Sequence, residues 1–526
     1  MVSACGGGGN SSSSSAPPAP PPASGPTWTA GVFEPSSTFE NRCESVRIGA
    51  DIEGNPFPDR PGSTVEENFW LRSWTNETYL WNDEVVDRNP AAFEDRLEYF
   101  ALLRTTATTP SGKDKDDFHF SQPTEEFLEQ RNSAPRAGYG ARFFLVSEDI
   151  PREMRVQFTQ PGTPAAEVVS GQANLLRGSK ILEVDGVDLV NANTQGEIDI
   201  LNNGLFPANA GEQHTFVVED PGSALRRTVI MTSANVTIDA VNSVQTIDTA
   251  TGKVGYLLVS TFSPFSSEEE LADAFAFLKA EGVVDLVLDL RYNNGGLLAV
   301  ASQLAYMVAG DARTAGKAFE RLQFNDAAGD RNPATGEPNE PLPFFTTGVG
   351  FSLPSGTPLE SLDLSRVYVL STAETCSASE SVINGLRGVG VEVILIGDVT
   401  CGKPFGFFPQ DNCGETYFTI QFQGANDQGF GDYADGFTPQ NANFRFGVRT
   451  PGCAVPDDYD NALGDETEAL LDAALDYRES GVCPVTPLVS SSPISASAVR
   501  ISGETLALRA PAGDVFRNNR DMTMPD

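Results

Sequence analysis

The stretch "SRVYVLSTAETCSASESVINGLRGVGVEVILIG", residues 365–397, decides the fold class. It opens with an apolar run of β-forming residues, "SRVYVLS", and closes with another, "VEVILIG". Between them "SASESVINGLRG" carries the pattern of a helix. The segment "ETCSASE" sits where the first strand becomes that helix. Helix capping explains it in one way, because Ser is a favoured N-cap and a Glu shortly after it completes a capping box. A second explanation makes one serine a nucleophile, set against the positive end of the helix.

Working outward, the same alternation recurs. "KVGYLLVSTF" (253–262) is a strand and "SSEEELADAFAFLKAEG" (266–282) a helix with Ser/Glu capping. "VVDLVLDLRYNNGG" (283–296) is a buried strand ending in a glycine turn, and "LLAVASQLAYMVAG" (297–310) is a further helix. Strands alternating with helices predict a layered α/β domain, placed here at residues 236–483. Residues 311–362 form an insertion rich in Gly, Pro and Asn, expected as surface loops and a flap. "TYFTIQFQG" (416–424) is another strand, and "DETEALLDAALDYRESG" (465–481) is a late amphipathic helix.

Upstream the pattern differs. Residues 1–30 are a Ser/Pro/Gly-rich linker, and residues 31–137 read as a helical segment. In it Trp70, Trp74, Tyr79 and Trp81 are spaced like one helix face and are expected to pack. Residues 138–235 turn to short strands and turns, among them "GYGARFFLV" and "LLRGSKILEVDGVDL", with Asp185-Gly186 as a tight turn. This part resembles a PDZ domain, in which a peptide adds as a strand along an exposed edge. The resemblance puts Tyr139, Gly140, Ala141 and Arg142 in the carboxylate-binding loop. Phe143 and Phe144 alternate on the edge strand, one toward the groove and one toward the core. Residues 484–526 are a Ser/Pro-rich tail with one weak strand, expected to be peripheral.

The 526 residues include 72 acidic and 35 basic ones, a formal charge of −37. Nucleic acid is excluded as a partner, because phosphate binding needs clustered Lys and Arg. The excess is spread along the chain and reads as a strongly hydrated surface. No apolar run approaches the roughly 18 residues of a membrane helix. "VSAC" at residues 2–5 resembles the end of a bacterial lipoprotein signal, which implies lipidation at Cys5, export, and a membrane anchor facing the periplasm or cell surface. Six further cysteines remain: Cys43, Cys376, Cys401, Cys413, Cys453 and Cys483. An exported chain favours disulfides, and six cysteines allow fifteen connectivities. Cys401 with Cys413 would close a short loop. Zinc is the rival use, but there is no Cys-x-x-Cys pair and the histidines number two, so neither a metal nor a cofactor is expected.

Ser377 falls at the strand-to-helix turn, the place where α/β sheets present reactive groups. Its hydroxyl needs a base. His119 ("DDFHF") and His214 ("EQHTF") both lie outside the α/β segment, and a Gly-x-Ser-x-Gly elbow is absent. Lys403, in "DVTCGKPFGF", follows Ser377 by one helix, one turn and one strand, which returns it to the same sheet edge. A lysine buried there can lose its charge and accept the serine proton. Acyl transfer also needs N–H donors aimed at a developing oxyanion. Ala378 N–H follows the serine, and Gly295 or Gly296 of "YNNGG" permits close backbone approach.

Together "DLRYNNGG", "SASE" and "TCGK", in this order behind a PDZ-like segment, resemble the carboxyl-terminal processing peptidases, or tail-specific serine proteases. The resemblance covers roughly residues 138–425. It implies a crotonase-like α/β core, Ser377 as nucleophile, Lys403 as general base, and a PDZ domain that recruits the tails of protein substrates. Two positions depart from the family. Phe407 stands where many members have a lysine-orienting Gln, with Gln410 the nearest glutamine, and Pro404 stands where Gly is usual. Cys376 beside the nucleophile is also unusual, and Ser379 is the alternative serine. The rival readings are a non-catalytic peptide-binding scaffold on the same fold and a hydrolase acting on another acyl substrate.

Overall fold

A computed structural model describes residues 25–147, 149–484 and 520–524. Cys5, the expected lipidation site, lies outside the described residues.

Helix α1 (Thr64–Thr78) starts at Ser63, whose hydroxyl accepts from Glu66 N. Trp70 stacks on Trp74 at 5.1 Å within a cluster that includes Phe39, Phe69, Tyr99 and Phe100. Trp70 and Trp74 pack on one face of the helix as their spacing predicts, whereas Tyr79 and Trp81 lie past its end and pack in a separate cluster with Phe118 and Phe405. Tyr417, from a hairpin more than 300 residues later, completes the cluster. Phe120–Pro123 pairs with Glu415–Phe418 of the same hairpin, so two segments far apart in the sequence build one layer.

An antiparallel sheet follows, built from β1 (Ala141–Ser147), β2 (Glu153–Thr159), β3 (Lys180–Val184), β4 (Gln213–Glu219) and β5 (Arg226–Thr232). Its order is β5-β4-β3-β2-β1, which leaves β1 at an edge. Alternation fixes its buried face: Phe216, Val218, Val229 and Met231 point inward, whereas Thr228 and Ile230 do not. Helix α2 (Gln195–Leu205) covers that face through Ile198, Leu201 and Leu205, and a Thr194–Glu197 capping box starts it.

The central sheet has the order β6 (Val241–Thr249), β7 (Gly252–Val259), β8 (Asp285–Asp289), β9 (Arg366–Ser371), β10 (Glu392–Gly397) and β11 (Gly452–Ala454). Strands β6 and β7 are antiparallel, and every later pair is parallel. Apolar residues occur consecutively because both faces are covered. On β10, Val393 and Leu395 face one core, shared with helices α3 (Ser267–Glu281), α4 (Leu298–Ala309) and α5 (Ala378–Gly388). Ile394 and Ile396 face the opposite core, closed by helix α6 (Ala469–Ser480). Each fully buried Leu or Ile contributes on the order of 2 kcal/mol. The register sets Asp289 beside Leu370 and Ser371 beside Gly397. Three loops therefore leave the sheet at one edge: 290–297, 372–377 and 398–403.

Three expectations need correction. The insertion 311–362 is pinned down: buried Glu268 accepts from Val349 N, Ser352 N and Leu353 N, and Ala318–Gln323 pairs with Phe422–Ala425. The segment beyond 484 is not wholly peripheral, because Arg520–Asp521 pairs in parallel with Gly296–Leu297. The disulfides are Cys43–Cys413, Cys376–Cys401 and Cys453–Cys483. The Cys401–Cys413 pairing is therefore wrong. Cys413 turns with its hairpin toward the N-terminal layer, while Cys401 faces the turn that carries Cys376.

Candidate active site

The turn after β9 is held from below by the neighbouring loop. Thr375 Oγ1 donates to Leu290 O at 2.8 Å, Cys376 N to Asn293 O at 3.0 Å, and Ser379 Oγ to the same oxygen at 2.9 Å. Ser379 is thus a structural serine with its hydroxyl engaged. Ser377, between these anchors, has φ +62° and ψ −114°, in a region that costs a non-glycine residue about 1–3 kcal/mol. Its side chain is fully buried, and Oγ has no hydrogen-bond partner among the described residues. Helix α5 begins at the next residue, Ala378, so the hydroxyl lies at the helix's positive end.

Glu380 joins this turn to the one that carries Lys403. Its carboxylate is fully buried and accepts from Ser377 N at 3.0 Å and Lys403 N at 2.7 Å through one oxygen. The other oxygen accepts from Gly402 N at 2.9 Å and Thr400 Oγ1 at 2.5 Å. Burial raises the Glu380 carboxyl above its usual range, and the four donors offset part of that rise. The Cys376–Cys401 disulfide ties the same two turns, with Cα atoms 5.1 Å apart. Cys376, Glu380 and Cys401 together have the look of a metal-ligand cluster. Both sulfurs are committed to each other, however, and both carboxylate oxygens are already accepting.

Lys403 is also fully buried, its Nζ 4.6 Å from the ring centre of Phe118 and 4.7 Å from that of Phe407. Phe407 therefore sets a ring face against Lys403 Nζ at the position where the family resemblance implies an amide. Gln410 does not replace that amide: its Nε2 donates to Asp411 O. A second lysine, Lys113, donates to Cys401 O at 2.5 Å; burial lowers its pKa, with Glu380 among the charges acting in the opposite direction.

Of the three candidate oxyanion donors, Gly295 has its N–H committed to Asn293 Oδ1 at 2.9 Å. Gly296 must be glycine, because at φ +136° a Cβ would lie 2.3 Å from Phe262 C. Ala378 is the first residue of α5. Arg291 braces the base of the loop: it is fully buried and bonds Asp289, Asp457 and Glu468.

Neither histidine is bonded to this site. His119 lies buried against Phe100, its ring nitrogens on Phe100 O and Thr419 Oγ1, and burial pushes its pKa down. His214 pairs with Asp185 at 2.6 Å in the antiparallel sheet.

The loop expected to hold a carboxylate is split between tasks. Tyr139 is a core residue, its hydroxyl donating to Gly204 O, and Gly140 lies against Thr163 at φ +70°. Ala141 and Phe143 pack partly against the core under α2, with the Phe143 ring edge-on to Phe206. Arg142 leaves its own sheet and donates to Tyr292 O at 2.6 Å and to Glu374 at 2.9 Å. The sequence offers no signal for Phe118 or Arg142 beside the turns that carry Ser377 and Lys403, since both reach them from other layers. Glu380 is visible only as a capping residue.

Residues 253–411 match the sequence model of peptidase family S41. Over 358 residues the chain is 26% identical to the chloroplastic C-terminal processing peptidase of Tetradesmus obliquus. That match covers 64% of this chain and 65% of the relative, a little under two thirds of its length. Among solved structures, a protein assigned as an S41 protease from Bacteroides fragilis has the same fold. It aligns with a TM-score of 0.58 at 22% identity and covers 78% of this chain and 97% of that one.

Proposed function

We propose that this chain, whose residues 253–411 match the sequence model of peptidase family S41, is a serine endopeptidase working through a Ser377–Lys403 dyad. The observation that carries the reading is the shared anchorage of the two turns. A strained, buried serine hydroxyl with no partner and a buried lysine sit on loops fixed to one Glu380 carboxylate. Strain at a single serine is tolerated where the surroundings over-determine it, and such positions cluster at functional sites.

In the proposed reaction Lys403, in its neutral form, takes the Ser377 proton as Oγ attacks the peptide carbonyl. The oxyanion is stabilised by Ala378 N–H and Gly296 N–H. Gly295 N–H joins them only if it leaves Asn293. Lys403 then protonates the leaving amine, and water hydrolyses the acyl-enzyme. The core is read as crotonase-like, and residues 138–235 as a PDZ-like domain that takes substrate tails along β1, with Phe143 lining the groove. The substrates are exported proteins, and lipidation at Cys5 would hold the enzyme on a membrane facing the periplasm or cell surface.

One rival is an inactive peptide-binding scaffold on the same fold, with which a Ser377 hydroxyl lacking a hydrogen-bond partner is also compatible. Labelling with a fluorophosphonate separates the two. The peptidase labels at Ser377 and loses labelling in Ser377→Ala, whereas the scaffold binds tails and never labels.

A further inference from the structure

Residues 520–524 return from a distant part of the chain to the catalytic loops. Arg520–Asp521 forms a parallel pair with Gly296–Leu297, in the register Gly296 to Arg520 and Leu297 to Asp521. Gly296 is bridged on its other side by Phe262, so the segment takes the edge that remained. One residue on, Met522 N donates to Phe407 O at 3.3 Å, and the Met522 side chain packs against the main core. These anchors straddle the two turns described above. Gly296 belongs to the loop whose Asn293 carbonyl accepts from Cys376 N and Ser379 Oγ, and Phe407 is four residues past Lys403.

This is the geometry in which an extended peptide binds by strand addition: main-chain pairing on an edge and an apolar side chain in a recess. Ser377, Lys403 and Leu297 are all shut off from solvent with the segment in place. A substrate needs that same approach.

We infer that residues 520–524 are a tethered peptide ligand of the catalytic cleft, competing with substrate for the Gly296–Leu297 edge. The inference rests on the peptidase reading for what it inhibits, though not for the binding itself. Tethering raises the local concentration of a weak ligand to about millimolar, enough to keep most molecules closed, and displacement opens them.

The test compares the full chain with a variant lacking residues 520–526 and with Met522→Asp, which ejects the apolar anchor. Fluorophosphonate labelling of Ser377 and cleavage of unfolded casein should both rise on the order of tenfold in each variant. The synthetic peptide RDMTMP, added to the shortened variant, should raise KM and leave kcat unchanged. Equal labelling and cleavage in all three chains, with no competition by the peptide, would overturn the inference and leave the peptidase reading intact. Peptide binding to a shortened variant that never labels would uphold the binding site and sink the peptidase reading. Loss of residues 520–526 from the wild type but not from Ser377→Ala, seen by intact mass, would overturn competition by making the segment a substrate.

Discussion

Cys376 and Cys401 are bonded to each other, one directly before Ser377 and the other two residues before Lys403. The covalent link therefore spans the gap across which the proposed proton transfer takes place. Cys376→Ala/Cys401→Ala should lower kcat by roughly 10–100-fold, because a misplacement of about 1 Å costs a catalytic pair that much. The same change should cost about 3 kcal/mol of stability for a loop of this length. Peptide turnover and urea unfolding measure the two effects separately. Unchanged turnover would mean that Glu380 alone holds the turns.

Ser377→Ala and Lys403→Ala should each abolish nearly all peptidase activity, and the double variant should be no worse than either, because both act in one unit. Ser379→Ala should lose less, since its hydroxyl serves Asn293 O. Activity should climb with pH, as a base that acts only when neutral requires. Replacing His119 and His214 together should preserve that climb. Its loss would transfer the base role to a histidine.

Asp285 offers a stability readout that is independent of catalysis. Burial would raise its pKa, but hydrogen bonds and charge from Arg366 and Arg478 outweigh burial and hold it below the usual range. A folded pKa below the unfolded value gives stability that is present above pH ~4 and lost as pH falls through the folded pKa. Thermal melts between neutral pH and pH 3 should show this loss. Asp285→Asn should flatten it, at a cost of about 1–3 kcal/mol at neutral pH.

Arg142 links the antiparallel sheet to the loop before Ser377 through Tyr292 O and Glu374. Arg142→Ala should reduce cleavage of proteins bearing apolar tails more than cleavage of short peptides, read as kcat/KM for each. Equal losses on both would assign Arg142 to the catalytic loops alone.

Much of the core was legible because its chemistry is local. Strands alternating with helices predict the layered α/β domain, and the spacing from Ser377 to Lys403 returns both to one sheet edge. What escaped is non-local. Cys401 has a near partner in sequence at Cys413, yet hairpin pairing with Phe120–Pro123 carries Cys413 away. Phe118 reaches Lys403 from the N-terminal layer, and Met522 reaches Phe407 from the far tail. No periodicity or turn signal encodes such meetings. The insertion read as a flap because its Gly and Pro are real; the buried carboxylate that pins it lies about 80 residues earlier, on α3.

The Cys43–Cys413 bridge joins cysteines separated by 370 positions in the sequence. At a synthesis rate of roughly 5–20 residues per second, Cys43 waits on the order of 20–70 s before its partner exists. The first aromatic layer likewise has no Tyr417 to finish it until then. Closure of this layer is therefore a late event in synthesis: a nascent chain interrupted before residue 403 holds an unclosed aromatic cluster, an orphan thiol and no Lys403. A chain assembled in this order has neither Lys403 nor the partner of Cys43 until its later part has been made.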